Sequence, residues 1–242
     1  IIYRAWCSAY NAEFWYNAFG ELVEIIPIIY DEQTLLSKST KFESITEYDP
    51  KLLGLINRLN KAILRLQEKA NCEELFIKTT AKSTKHDIPI KPITKADDAL
   101  PYLLSSKSIQ GVLERKEPVI FMLRPWNPAI NSDNEIRVFI INDTIKAISQ
   151  QNIYTESAIL DIIIKNNADE LYTKIYRLWE NIKRTSQTQY IDAILDLYVT
   201  SKCDIGLIEI NSGGNGWGPA GSALFTWDEI NAIPVGECVF AF

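Results

Sequence analysis

The sequence predicts an α+β chain of two lobes that hold a cleft between antiparallel sheets, and three observations predict it. Two stretches, EIRVFIINDTIKAISQ at 135–150 and ILDLYVTSKCDIGLIEINSGG at 194–214, read as strand–turn–strand units. Amphipathic helices with apolar stripes are expected at 49–66 and 169–184. Between the halves, VIFMLRPWNP at 119–128 is an apolar strand that runs into two prolines. The expected division is an N-terminal lobe over 1–120 and a C-terminal lobe over 121–242, with a hinge at 121–126.

Composition narrows the function classes. The 242 residues suffice for one large domain or two small lobes with a real core. A formal charge of −6 argues against a general nucleic-acid binder, although local basic clusters remain free to serve a small anion. Cys7, Cys72, Cys203 and Cys238 form no CxxC pair and His86 is the single histidine, so neither a zinc site nor a disulfide framework is expected. Free thiols in a reducing cytoplasm fit this pattern. No apolar run reaches the length of a membrane span, and the first residues lack a signal-peptide layout.

In chain order, AWCSAYNAEFWYNAF at 5–19 reads as helix, with Trp6, Trp15 and Tyr16 at a core edge or a ligand-stacking surface. VEIIPII at 23–29 is a strand in which Pro27 favours an edge position or a bend. After a polar loop at 37–48, Asp49-Pro50 opens a helix striped by Leu52, Leu55, Ile56, Leu59, Ile63 and Leu66. LFIKTT at 75–80 is a strand bearing Lys78. The basic loop AKSTKHDIPIK follows with Lys82 and Lys85, an anion-binding flap or a solvated surface loop. Thr94 and Asp97 form a capping-box-like start for a helix to about Ser105, and Lys107–Arg115 continues as a second short helix.

In the 135–150 hairpin, Asn142-Asp143 is a two-residue turn. Pairing Ile141 with Thr144 would set Phe139 against Lys146, Arg137 against Ile148 and Glu135 against Gln150. Glu135, Arg137, Lys146 and Gln150 then share one polar face, a cleft lining or a half-solvated surface. In the 194–214 hairpin, period-2 alternation places Ile205, Leu207, Glu209 and Asn211 on one face. A turn at Lys202-Cys203, or a loop over 201–204, pairs Tyr198 with Leu207 and Asp196 with Glu209. Two facing carboxylates repel, and a divalent cation such as Mg²⁺ would relieve that. On this reading Asp196→Ala removes repulsion and leaves the fold intact. Five of the ten glycines fall within 213–221, in a loop matching neither dinucleotide nor P-loop fingerprints.

These segments together make an ATP-grasp set: a strand lysine, an LRPW hinge, an E-x-R hairpin ending ISQ, and an acidic pair with E-x-N. More specifically, the chain resembles the cell division cycle protein 123 family, an atypical ATP-grasp family. The residues carrying the resemblance are Trp15-Tyr16 with Ile26-Pro27, FIKTTAKS at 76–83, LRPW at 123–126, EIRVFI at 135–140, AISQ at 147–150, Asp196 in LDLY, LIEIN at 207–211 and LFTWDEI at 224–230. The resemblance implies an ATP-grasp fold with ATP held by Lys78, Lys82, Arg137 and Gln150, and with Met122, Leu123 and Arg124 as the adenine hinge. It further implies Mg²⁺ on Asp196, Glu209 and Asn211. Thr84, His86 and Ser212 stand where the family usually has proline, aspartate and proline, and Glu209 replaces a commoner aspartate. Family members act as assembly factors for eukaryotic initiation factor 2 through its gamma subunit, so that partner is implied here. The alternative is an ATP-dependent carboxylate–amine ligase, with Lys146, Gln150 and the glycine loop forming an acceptor pocket. A bacterial or viral ATP-grasp relative with a different target is the third reading.

Overall fold

The computed structural model describes residues 22–38, 49–80, 82–115, 118–185, 192–213, 221 and 223–242. The helix expected at 5–19, with Trp6, Trp15 and Tyr16, lies outside them, as does most of the glycine loop. Two compact units form: one spans Gly20–Trp126, and the other contains Asn127–Phe242.

In the first unit, β1 (Glu24–Ile28), β2 (Leu75–Thr79) and β3 (Val119–Pro125) form an antiparallel sheet in the order β1-β3-β2. Pro27 is accordingly on an edge strand, where its missing N–H costs no ladder bond. Helix α1 (Tyr30–Lys38) follows β1, and α2 (Leu53–Ala70) is entered through a 3₁₀ turn at Pro50–Leu52. The Asp49 carboxylate accepts from Lys51 N at 2.9 Å, as the Asp-Pro start predicts. Leu55, Ile56, Leu59, Ile63 and Leu66 are buried at helical spacing, and α2 packs on β1 and β3. Each such side chain contributes about 1.5–3 kcal/mol by leaving water. The Asn71 backbone turns into the left-handed region and ends the helix.

Helices α3 (Ala96–Leu104) and α4 (Lys107–Leu113) complete this unit. The capping box expected from Thr94 does not form. The N-cap position falls one residue later, on Lys95, which makes no side-chain cap. Ser106 caps α4 by accepting from Ile109 N at 3.2 Å. Strand β3 also runs further than its prolines suggest. Leu75 spends both backbone groups on Ile93, so its other neighbour, Pro125, needs no donor there, and Trp126 N bonds Glu74 O. The change of unit comes after Trp126.

In the second unit, β4 (Glu135–Ile141), β5 (Thr144–Gln150), β6 (Ala193–Val199), β7 (Ile205–Ser212) and β8 (Val239–Ala241) are ordered β7-β6-β4-β5-β8. All neighbours are antiparallel except β8, which runs parallel to β5. Helix α5 (Ala158–Thr185) is broken at Asn167. It is pinned to both hairpin turns: Trp179 Nε1 donates to Asp143 at 2.8 Å, and Lys174 Nζ donates to Cys203 O at 2.9 Å. A short helix α6 (Trp227–Ala232) carries a complete capping box between Thr226 and Glu229.

Two bulges correct the expected registers. Ile141 pairs with Thr144, but Lys146 is an extra residue, so Phe139 faces Ala147, Arg137 faces Ser149 and Ile136 faces Gln150. The second hairpin pairs Asp196 with Glu209 as expected. Ile208 is extra there, and Leu197 pairs with Leu207 while Tyr198 pairs with Gly206. One inserted residue exchanges faces. Leu207 therefore joins the apolar side while Glu209 keeps the polar one.

Candidate functional site

The polar face of the first sheet is short and cationic. Antiparallel partners share a face, so Lys78 lies with its partner Met122, and Arg124 lies two positions further along β3. Lys78 is 3% exposed, and Met122 and Arg124 are also buried. Strand alternation turns Leu123 the other way, into the core with Ile77 and Phe121. Of the expected hinge, Leu123 thus offers only backbone on the face of Lys78.

Lys82 is exposed and its backbone is clamped to Thr79: Lys82 N donates to Thr79 Oγ1 at 2.8 Å, and Thr79 N donates to Lys82 O at 3.0 Å. Its side chain lines a cavity with Lys107, Ser108, Gly111 and Arg115. The loop beyond is ordered. Thr84 is fully buried and bonds the Tyr102 hydroxyl at 2.5 Å, and Asp87 accepts from Ser106 Oγ and Ser108 N.

The second sheet carries a row of four polar residues across adjacent strands: Ser149, Arg137, Asp196 and Glu209. At its centre is a buried bidentate ion pair. Arg137 Nε donates to Asp196 Oδ1 at 2.7 Å and its NH2 donates to Oδ2 at 2.8 Å. A third donor, NH1, reaches Gly221 O at 2.6 Å. Asp196 is 1% exposed and also accepts from Asn211 Nδ2 at 3.0 Å. Burial alone would lower the Arg137 pKa. The charge and hydrogen bonds of Asp196, with Glu209 and Glu135 beyond, hold it above its ordinary value.

This arrangement corrects the expectation that Asp196 and Glu209 simply repel. Asp196 is compensated by Arg137, so removing it strands a buried guanidinium. The donor set still fits a hard cation. Asp196 Oδ2 takes two hydrogen bonds and Oδ1 takes one, which leaves Oδ1 acceptor capacity beside Glu209. Carboxylate and amide oxygens are what Mg²⁺ prefers. No group of three or more His, Cys, Asp or Glu side chains able to hold a metal occurs among the described residues, so Asn211 would have to complete any set built on Asp196 and Glu209.

Gln150 lies apart from Arg137. The bulge puts it on the opposite face, where its amide donates to Asn152 O and to Thr155 O and its oxygen accepts from Ser157 N. Lys146, also buried, donates to Ile233 O at 2.8 Å. Ser149 was not anticipated in the row; it accepts from Leu224 N at 3.3 Å. Further along the same face, Phe139 stacks edge-on to Phe225 and Trp227 at centroid distances of 6.1 and 5.8 Å. The aromatic spacing in LFTWDEI is the only sequence sign of that support.

No curated protein matches the chain by sequence. Among solved structures, Cdc123 from Schizosaccharomyces pombe is similar with a TM-score of 0.72 at 20% identity, covering 98% of this chain and 96% of its own. A C-terminally truncated form of the same protein gives 0.70 at 20% identity, over 97% and 96%. D-alanyl-alanine synthetase A from Vibrio cholerae gives 0.42 at 12% identity, over 85% and 55%. The first two likenesses establish the fold, an α+β chain with two sheets. The sequence model of the D123 family matches residues 82–237, more than half of the chain and four of the five strands of the Arg137–Asp196 sheet, and the chain belongs to that family.

Proposed function

We propose that this protein binds Mg·ATP and works in the cytoplasm as an assembly factor for initiation factor 2, through that factor's gamma subunit. The observation that carries the nucleotide reading is the buried Arg137–Asp196 pair, with half-buried Glu209 next in the row and Asn211 bonded to Asp196. Asp196, Glu209 and Asn211 would hold Mg²⁺. Arg137 has guanidinium N–H groups beyond its three bonds, and Lys78 supplies a second cation, both for phosphate oxygens. Met122–Arg124 would take the adenine. Lys82 and Gln150 contribute least, since one lines a separate cavity and the other is tied to its own loop.

The ligase reading loses support at the same time. Lys146 and Gln150, its acceptor residues, spend their polar groups on backbone carbonyls and, for the Gln150 oxygen, on Ser157 N. The assembly reading rests on family membership. Under it, ATP tightens gamma-subunit binding, and the subunit tightens ATP binding by the same factor.

Calorimetry of Mg·ATP with and without the gamma subunit tests both statements. Charge-assisted bonds are worth roughly 1.5–3 kcal/mol, so Lys78→Ala and Arg137→Ala should each weaken Mg·ATP by about tenfold or more. Effects below twofold at both positions refute the nucleotide site. Sustained ADP release that depends on a small carboxylate and an amine, with no effect of ATP on the subunit, refutes the assembly role.

A further inference from the structure

The cavity beside Lys82 lies wholly within the Gly20–Trp126 unit and has a volume of about 450 Å³. That is within the range of small-ligand sites, about 300–1,000 Å³. Three of the five described lining residues are cations from separate places in the chain: Lys82 after β2, Lys107 at the start of α4 and Arg115 beyond its end. Ser108 adds a hydroxyl. Among the described residues none of the three cations makes an ion pair, in a chain whose formal charge is −6. Asp87, the carboxylate at this end of α4, is occupied by Ser106 and Ser108 N. Like charges gathered around a hollow repel, and an anion would relieve that.

Gly111 is the independent sign that the hollow matters. It sits inside α4, one turn after Lys107 on the same side of the helix, and lines the cavity together with Arg115 beyond the helix end. A Cβ placed there would meet nothing within 4 Å, and its backbone is not in the left-handed region. Neither packing nor turn geometry asks for glycine. Yet glycine within a helix costs about 1 kcal/mol relative to alanine. What it provides is open space on the cavity floor between two cations.

We infer that Lys82, Lys107, Ser108 and Arg115 form a binding site for a small, multiply charged phosphate anion, with Gly111 as its floor. A single carboxylate brings one charge and two oxygens and leaves most of these donors unused. A phosphate group brings nearly two charges and three acceptor oxygens, which suits three cations and a hydroxyl. The site includes none of Lys78, Arg137 and Asp196 and shares only Lys82, a lesser contributor, with the proposed nucleotide set, so its ligand need not be a nucleotide.

Inorganic pyrophosphate is the probe, titrated calorimetrically at low salt into the full chain with saturating Mg and a non-hydrolysable ATP analogue present. The expected result is binding that weakens at least tenfold in the Lys107→Ala/Arg115→Ala double variant and in Gly111→Leu. Lys107→Arg should retain it, and the analogue's own affinity should stay within twofold throughout. Thermal melts of each variant exclude unfolding as the cause. Absence of pyrophosphate binding to the wild type, or its persistence in the double variant, overturns the inference. So does a parallel loss of analogue affinity, which would merge the cavity with the nucleotide site. If the analogue does not bind at all, the nucleotide reading fails while the pyrophosphate titration still decides this one.

Discussion

The two sheets bury charge in opposite ways. In the first, Lys78 and Arg124 share a face with Met122, and the row across β2 and β3 contains no carboxylate. In the second, Arg137 is placed between acids, with Asp196 bonded to it and Glu209 next in the row. One face is cationic and suited to phosphate oxygens. The other is self-neutralised around an oxygen cluster suited to a metal ion. The two kinds of surface belong to different sheets, each within its own unit.

Breaking the second arrangement should have the largest effect. Asp196→Ala leaves Arg137 charged and buried, and losing one partner of such a pair costs about 3–5 kcal/mol. The Arg137→Met/Asp196→Leu double variant should recover most of that stability, because isosteric apolar replacement is neutral or better, while Mg·ATP binding stays lost. Urea unfolding and calorimetry on the same samples separate the two. A double variant as unstable as the single would mean that the pair holds the fold as well as the ligand.

Next in size is the hairpin that presents Asp196 to Glu209. A Cβ on Gly206 would lie 2.3 Å from the Tyr198 ring, its cross-strand partner. Gly206→Ala must displace that half-exposed ring, at about 1 kcal/mol, the low end of the overpacking range, because the ring end can swing aside. The melting temperature should fall accordingly, and Tyr198→Ala in the same chain should restore it.

A smaller effect separates the pairs by exposure. Burial would raise the Glu24 pKa, but Arg65 and Lys69 together hold it below 4.5. A carboxylate depressed on folding stabilises above pH 4.5, and that contribution disappears as pH falls through the depressed value. Glu24→Gln should therefore lower the melting point slightly at pH 7, with the difference vanishing at acid pH. Salt should shrink it at pH 7 too, whereas the Arg137–Asp196 pair is buried and should respond little. The least perturbing test is chemical: burial pushes the Cys238 thiol up to about 11, so Cys238 should react slowly with iodoacetamide at pH 8.

Much of this was legible in the sequence, and the exceptions have physical causes. The Asp196–Glu209 pairing follows from loop length and alternation, which are local. Arg137 opposite Asp196 could not be read, because it depends on β4 lying beside β6 across 59 residues. Plain alternation puts Gln150 on the face of Arg137, and the bulge at Lys146 that turns it over carries no glycine to mark it. Strand β8 is three residues long and pairs with a distant strand, so nothing in its tail announces it.

The positions of the two bulges bear on how such a chain can change length over evolution. Strands β4 and β6, which carry Arg137 and Asp196, pair without interruption. The extra residues sit one strand further out on either side, Lys146 in β5 and Ile208 in β7. Both flanking strands thus have a slip joint, while the central pair is locked in phase. An insertion or deletion near either hairpin turn can be absorbed by gaining or losing a bulge, leaving the central pair in step. The same event inside β4 or β6 would turn one of the two charges to the opposite face of the sheet.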